Sequence, residues 1–503
     1  DTPSPGLDKA ARYIADHIKQ WGLKPAGDNG TYFQSLKLKK TLFDQTKSTL
    51  TLRVGSDLKI LKFGDDFLPI QRSGSANGKI VFVGHGWVVK SKGIDPYAGV
   101  DVKGKIMLVT QQTAARFPPG ISSADLKRDG LGSDWMNPTE YARRNGAVGI
   151  IYIPDLQLLT EWPQRRERFA QTGPVALDSP VGQTPQPQPT ATIPSAILSK
   201  EALSFLLKGE KVSLEELMDG MKSEKQFTSF DLSAEKSASL SFSTNQHPAR
   251  TQNVIGILEG SDPVLRNEYV AFGAHYDHVG VGIPVNGDAI YNGADDDGSG
   301  TVGIMAIAEA FAKMPKNLRP QRSLLFVWHC GEEKGLWGSR FFTDHPTVPM
   351  NKIITQLNID MIGRSKAPND TTEADRELTG PDGIYVIGSK LLSTELGQLS
   401  ERVNKSYLNL AFDYRYDDPN DPNRFFSRSD HFNYIRHGVP IIFYFSGVHA
   451  DYHQPSDSVE KIDFIKMSKV ARTVFMTGEE LANASVRPKV DKTLPSSIRR
   501  TGR

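Results

Sequence analysis

The sequence is poor in cysteine. Cys330 is the one such residue among 503, so an intramolecular disulfide is impossible and no cluster of thiolates can hold a metal. Long apolar runs are missing too. The longest, Ile441 to Phe445 and Leu324 to Trp328, have the length of a strand and fall well short of the ~18 residues that a membrane-spanning helix needs. Neither sign of charge is in excess. Sixty Lys and Arg against 58 Asp and Glu leave a formal charge of +2, which offers no global field to nucleic acid, an anionic membrane or an acidic substrate. Partner choice must therefore come from local sites. The chain opens Asp1-Thr2-Pro3-Ser4-Pro5, with no Met and no charged-then-apolar leader. A form trimmed of its export signal would begin this way, as would an arbitrary cut, and a secreted or periplasmic location is the expectation.

At this length and 38% hydrophobic content, a large domain with a smaller companion is expected. Leu7, Ala11, Ile14, Ile18 and Trp21 recur at helical spacing and Gly22 follows as a stop, so the chain begins with an amphipathic helix. Residues 41–62 then alternate apolar and polar, and 78–84 and 103–110 read as strands punctuated by glycine. A helix over 137–145, a buried strand over 148–153 and a Pro/Gln-rich loop over 181–194 complete an inserted, β-rich α+β unit that ends near Met221. Beyond a polar connector the rhythm changes. Short apolar runs at 254–258, 269–274, 324–328, 353–361, 384–387 and 440–445 alternate with helical segments, the pattern of an α/β fold whose mostly parallel mixed sheet is sandwiched by helices. The predicted organisation is 1–70 as the first part of the main domain, 71–225 as the inserted unit, 226–487 as the rest of the main domain and 488–503 as a flexible basic tail.

In an open α/β sheet, reactive groups gather just past the carboxyl ends of the strands. The run from Tyr269 leads into His275-Tyr-Asp277, that from Leu324 into His329-Cys-Gly-Glu332-Glu333, and that from Ile353 into Asp360. Two more clusters lie in loops: Asp295-Asp296-Asp297, which opens a helix from Thr301 to Lys313, and Tyr452-His453 after the run that ends at Phe445. Singly, each has a plain structural explanation. A His-x-Asp pair is commonly a surface pair, an Asp triplet before Gly a turn and helix cap, adjacent glutamates a solvated helix end, and a loop histidine nothing more. Together they place two histidines and several carboxylates at one sheet edge with no cysteine, a donor set that suits a pair of Zn²⁺ ions. Two-ion hydrolysis needs a bridging carboxylate and an unligated one that takes a proton from water. Neighbouring side chains in Glu332-Glu333 point apart, so one can ligate while the other stays free. Asp277 lies two residues from His275 on a strand end and is placed to accept the second imidazole N–H.

The series His275-x-Asp277, Gly293-Ala-Asp-Asp296-Asp-Gly-Ser-Gly300, Gly331-Glu332-Glu333-x-Gly335-x-x-Gly338-Ser339, Asn358-x-Asp360-Met361 and Tyr452-His453 resembles the M28 family of zinc peptidases. The resemblance implies two zinc ions, one held by His275, Asp296 and Asp360, the other by Asp296, Glu333 and His453. It makes Asp296 the bridge, Glu332 the general base, Tyr452 an aid in polarising the scissile carbonyl and Asp277 the residue that orients His275. The inserted unit, with Gly84-His-Gly-Trp-Val-Val and Asp95-Pro-Tyr-Ala-Gly-Val-Asp-Val-Lys-Gly-Lys-Ile106, is similar to a protease-associated domain. His431, within Ser427-Arg-Ser-Asp-His431, finds no ligand slot and reads as structural or substrate-facing, and Cys330 reads as a small buried hydrophobe.

The expected function is an aminopeptidase acting on a peptide or protein substrate. A carboxypeptidase or dipeptidase would need Arg or Lys for a terminal carboxylate, and Arg424, Arg428 and Arg436 are available. A one-zinc glutaminyl cyclase has no need of the full two-ion set. A receptor on the same scaffold would have lost ligands, and none is lost here. Calcium at 295–297 would call for alternate acidic positions and a distant Glu instead of adjacent Asp residues. Oligomeric state is not fixed by the sequence.

Overall fold

The computed structural model describes all residues except 71–72, 111–117, 119, 123–124, 127–129, 172, 179–192, 224, 419–420 and 495–503. The chain divides into two compact units, one made of Asp1–Leu38, Leu177–Thr184 and Ala249–Arg503, the other of Lys39–Ala176 and Pro185–Pro248. Most of the Pro/Gln-rich loop predicted over 181–194, and the tail from 495, lie outside the described residues.

The first unit starts with helix α1, Pro5–Gln20. Ser4 caps it by accepting a hydrogen bond from Leu7 N, Pro5 supplies a preset φ, and Leu7, Ala11, Ile14, Ala15 and Ile18 form its buried stripe. The sheet of this unit contains β1 (Thr244–Leu258), β2 (Tyr269–His275), β3 (Ser323–His329), β4 (Ile353–Ile359), β5 (Gly383–Ile387), β6 (Ala411–Asp413) and β7 (Ile441–Phe445), in the spatial order β1-β3-β2-β4-β7-β5-β6. The central four, β3, β2, β4 and β7, are parallel, while β1 and β5 flank them antiparallel. Every residue of β3 and β4 is buried, which is why these strands read as unbroken apolar runs: both faces of the sheet are covered. Leu324, Phe326 and Trp328 point to one core with Ile14 of α1, Ile304 of α2 (Gly300–Lys313) and Val474 of the helix Phe464–Asn483, whereas Leu325 and Val327 point to the other with Phe342 and Tyr434. This alternation sets the layers. The fold class is the α/β sandwich expected from the sequence.

Because β3, β2, β4 and β7 run the same way, their carboxyl ends share one edge. His275, the turn after His329, Asp360 and the loop after Phe445 all meet there.

In the second unit the strand order is Asp57–Leu61, Thr49–Val54, Lys236–Phe242, Gly74–Phe82, Ile106–Thr110, Gly149–Ile153, Ser195–Leu198 and Phe67–Pro69. It is parallel at its centre and antiparallel at both sides. Leu50, Phe82, Ile151, Leu206 and Leu240 join one core, which Lys200–Leu207 and Leu214–Lys222 help to cover. The boundaries predicted at 70/71 and 225/226 fall inside this unit. Backbone pairing accounts for the difference: Lys236–Phe242 hydrogen-bonds with both Thr49–Val54 and Gly74–Phe82, so the flanking stretches cannot be assigned to the other unit.

Candidate metal centre

The three consecutive aspartates have three different tasks. Asp297 accepts hydrogen bonds from Gly300 N (2.9 Å), Met361 N (3.1 Å) and His275 N (3.1 Å), and so ties the start of α2 to the ends of β2 and β4. Asp295 accepts from Gly363 N (2.6 Å) and Ser299 Oγ (2.9 Å). Asp296, between them, is left to face the cleft, while Asp457 Oδ2 steadies its backbone by accepting from the N–H groups of Asp295 (3.0 Å) and Asp296 (3.2 Å). Gly300 is needed where α2 begins, since a Cβ there would lie 2.2 Å from Asp297 Oδ1 and 2.5 Å from Ile359 O.

Around Asp296 the remaining predicted residues close in two groups. His275 Nε2 stands 3.3 Å from Asp296 Oδ1 and 3.6 Å from Asp360 Oδ2. His453 Nε2 stands 3.0 Å from Asp296 Oδ2 and 3.1 Å from Glu333 Oε2. Asp296 thus offers one oxygen to each side. A residue that the sequence reading passed over joins the second group: His278, with Nδ1 2.8 Å from Glu333 Oε1 and 3.7 Å from Asp296 Oδ2. Its signal in the sequence is the second histidine of His275-Tyr-Asp-His278. Ser429 was passed over too. Its hydroxyl donates to Asp360 Oδ2 at 2.6 Å.

One expected contact is made differently. The His275 Nδ1 faces the backbone carbonyl of Asp277 at 3.0 Å, and the Asp277 carboxylate stands off at 3.8 Å. That carboxylate is engaged elsewhere: it accepts from Glu332 N at 3.0 Å and from Thr2 Oγ1 at 2.8 Å, so Asp277 positions the strand turn that carries Glu332. Glu332 itself points to the cleft, 4.0 Å from His275 Nε2.

Burial lifts the Glu332 carboxyl well above the usual range, with Asp360, Asp430 and Glu333 adding to the rise against the pull of His275. Burial also raises Asp360 and Asp277. For Asp296 burial acts upward too, yet the close imidazoles of His275 and His453 outweigh it and hold the group below the ordinary range. Glu333 is likewise brought down, to about 2, because His278 and His453 overcome burial. Glu332 and Glu333 are neighbours in sequence, and their environments push them in opposite directions, the separation expected of one proton acceptor and one charged ligand.

The donor set fits a divalent metal. His275 Nε2, His453 Nε2, both ring nitrogens of His278, Asp296 Oδ2 and Glu333 Oε1 are buried and none makes an aligned hydrogen bond within the described residues. Each such atom costs about 1–3 kcal/mol if nothing satisfies it. Imidazole nitrogens and carboxylate oxygens converging in this way suit Zn²⁺, and would also accept Mn²⁺ or Co²⁺. The donor atoms of His275, Asp296 and Asp360 lie within 4.8 Å of one another, as do those of His278, Asp296, Glu333 and His453.

A cavity of about 40 Å³ opens beside Asp296, Glu332 and Asp360, with an apolar wall that includes Phe425, Phe443, Phe445 and Val448. Tyr452 lines it as well, and its hydroxyl accepts from Arg428 Nη2 at 3.2 Å. Arg436 reaches Asn433 instead. His431 is fully buried, stacks on Phe443 at 4.4 Å and faces Phe426 O at 2.8 Å, so its part is structural. Cys330 packs beside Leu7 and Leu36, and burial raises its thiol, consistent with a small buried hydrophobe.

Residues 253–478 match the sequence model of Peptidase family M28. The match covers somewhat under half of the chain. All the residues of both donor groups, with Glu332 and Tyr452, fall inside the matched segment. Leucine aminopeptidase 2 of Trichophyton equinum is 29% identical over 273 residues, covering 48% of each chain, and its counterpart in Trichophyton rubrum is 28% identical over the same span. The chain spans about half the length of the curated relatives it matches. A solved zinc aminopeptidase from Bacillus subtilis shares the fold, with 18% identity, a TM-score of 0.51, and coverage of 98% of this chain and 93% of that one. No helix among the described residues is long and apolar enough to cross a membrane.

Proposed function

We propose that this chain is a two-zinc aminopeptidase that removes the N-terminal residue of a peptide. The observation that carries it is the pair of donor groups sharing Asp296, with Glu332 free beside them. When bound, two Zn²⁺ ions supply Lewis acidity and make water a competent nucleophile near neutral pH. The side chains do the rest. His275, Asp296 and Asp360 would hold one ion, and Asp296, Glu333 and His453 the other. Glu332, buried and with its proton affinity raised, takes the proton from water and hands it to the leaving amine. Tyr452, whose hydroxyl is kept protonated by burial, donates a hydrogen bond to the scissile carbonyl. Asp277 fixes the backbone of Glu332 through its N–H, so the base cannot drift from the reacting atoms.

The substrate's free α-amine enters beside the donor groups, where Asp296, Glu332, Asp360 and Arg428 line the cavity. The apolar wall then takes the first side chain, and N-terminal leucine is preferred to glutamate. A second proposal, a carboxypeptidase or dipeptidase, draws on Arg428, which stands in the same cavity and could hold a terminal carboxylate. The unit Lys39–Ala176 with Pro185–Pro248 is read as a protease-associated domain, on its Gly84-His-Gly-Trp segment and β-rich α+β composition.

The test is a peptide panel with free, N-acetylated and C-amidated termini, analysed by mass spectrometry. Stepwise loss of N-terminal residues from free-amine peptides, indifferent to C-amidation, is expected. Cleavage that survives acetylation but stops on amidation would replace the aminopeptidase by the carboxypeptidase.

A further inference from the structure

We infer that His278 is a fourth protein ligand of the second metal site, so that the two sites differ in kind: one closed by protein donors, one with an open position. The inference deepens the two-zinc proposal above and rests on it.

His278 has the same geometric signature as the two histidines already assigned. His275 Nε2 and His453 Nε2 each come within 3.0–3.6 Å of two carboxylate oxygens without the alignment of a hydrogen bond. His278 Nδ1 does likewise, at 2.8 Å from Glu333 Oε1 and 3.7 Å from Asp296 Oδ2. A ring N–H serving only to orient Glu333 would point along its in-plane axis at the oxygen. Here nitrogen and oxygen are close but lack that alignment, as two donors to a common centre do. The remaining nitrogen, Nε2, also lacks a hydrogen-bond partner among the described residues, so none of these explains the ring's placement.

The ring is also held where it is. Gly293 packs against it so tightly that a Cβ at that position would lie 2.5 Å from His278 Cγ, and the His453 ring meets it edge-on with centroids 5.5 Å apart. Only 8% of His278 is exposed, so a polar ring has been buried with no hydrogen bond among the described residues to offset the loss of water.

Counting donors separates the sites. His278, Asp296, Glu333 and His453 supply four, the full complement of a tetrahedral zinc site that needs nothing from solvent. His275, Asp296 and Asp360 supply three and leave a coordination position free, the pattern of a zinc site that takes part in chemistry. The first site is therefore the one at which substrate engages, and the second holds its ion more tightly.

The experiment is zinc titration of the full chain, paired with X-ray absorption at the zinc edge, for wild type, His278→Ala and His278→Gln. Wild type should take two equivalents of zinc, with three imidazoles shared by the two ions. Both variants should keep the weaker equivalent unchanged, lose about tenfold or more in affinity for the tighter one, and show one imidazole fewer. Unaltered melting with zinc withheld would show that the variants fold. An absorption spectrum of wild type with two imidazoles over two ions, or one that His278→Ala leaves unchanged, would overturn the inference and leave the two-zinc proposal standing. Fewer than two equivalents on wild type would sink that proposal and the inference with it.

Discussion

The two units bury different chemistry. In the unit of Lys39–Ala176 and Pro185–Pro248, the interior is Leu50, Phe67, Phe82, Ile151, Leu240 and their neighbours, and the buried cation Lys236 is matched by Glu210 at 2.9 Å. Among the described residues, Ser195 Oγ is its one buried side-chain polar atom without a hydrogen bond. The other unit has an apolar core of the same kind in Phe272, Phe326 and Val474, yet it also gathers unsatisfied nitrogens and oxygens at the carboxyl ends of β2, β3 and β4. A folded chain rarely tolerates such atoms, and their concentration at one sheet edge is what a bound ion would repair. Burial for stability and burial for chemistry are distinguishable by whether the polar atoms find partners within the protein.

The largest break in that comparison comes from Asp296→Ala. Asp296 serves both donor groups, so the variant should lose both equivalents of metal and all peptide hydrolysis, as measured by elemental analysis and assay. Retention of two equivalents would remove Asp296 from the bridging position. Next is Glu332→Gln, which keeps every metal donor and removes the proton acceptor. The turnover number should fall by roughly 10²–10⁴-fold while metal content stays the same; full activity would disqualify Glu332 as the base.

A change in the other unit should reverse the pattern. Phe82 is 1% exposed, and Phe82→Ala should lower unfolding free energy by roughly 3–5 kcal/mol in a denaturant titration while zinc uptake in buffer is unaltered. A smaller effect concerns histidines that both units keep neutral. Burial brings His85 in the one and His431 in the other down to about 4. Each binds a proton more readily when unfolded than when folded, so the stability each contributes is complete above about 6.5 and is lost as pH falls through about 4. Replacing His85 or His431 by Gln should flatten the acid limb of the stability curve by up to about 3 kcal/mol per site. An unchanged limb would mean that these rings are not held neutral.

Much of this was legible in the sequence, for reasons that individual residues make plain. Parallel strands covered on both faces must be apolar throughout, so 324–328 and 353–359 announce themselves, and the charged residue that follows each run marks the reactive edge. Less could be read where the chain's partner is distant. Residues 49–54 pair with 236–242, and no local pattern reveals a pairing across that span, so the boundaries of the inserted unit were placed some thirty residues too far in at the start. The tasks of Asp295 and Asp297 depend on backbone N–H groups of residues 275, 361 and 363, which only the folded chain brings near. His278 was overlooked because its partner Glu333 lies on another strand's end, and Thr2 because its hydroxyl meets Asp277 across 275 positions of sequence.

The most direct test of the central claim is the number of zinc ions that the purified, chelator-stripped chain takes up on titration, read by elemental analysis. Two equivalents, with the loss of both in Asp296→Ala, are expected from a site in which one carboxylate serves two donor groups. A single equivalent, or two that survive the loss of Asp296, would contradict it.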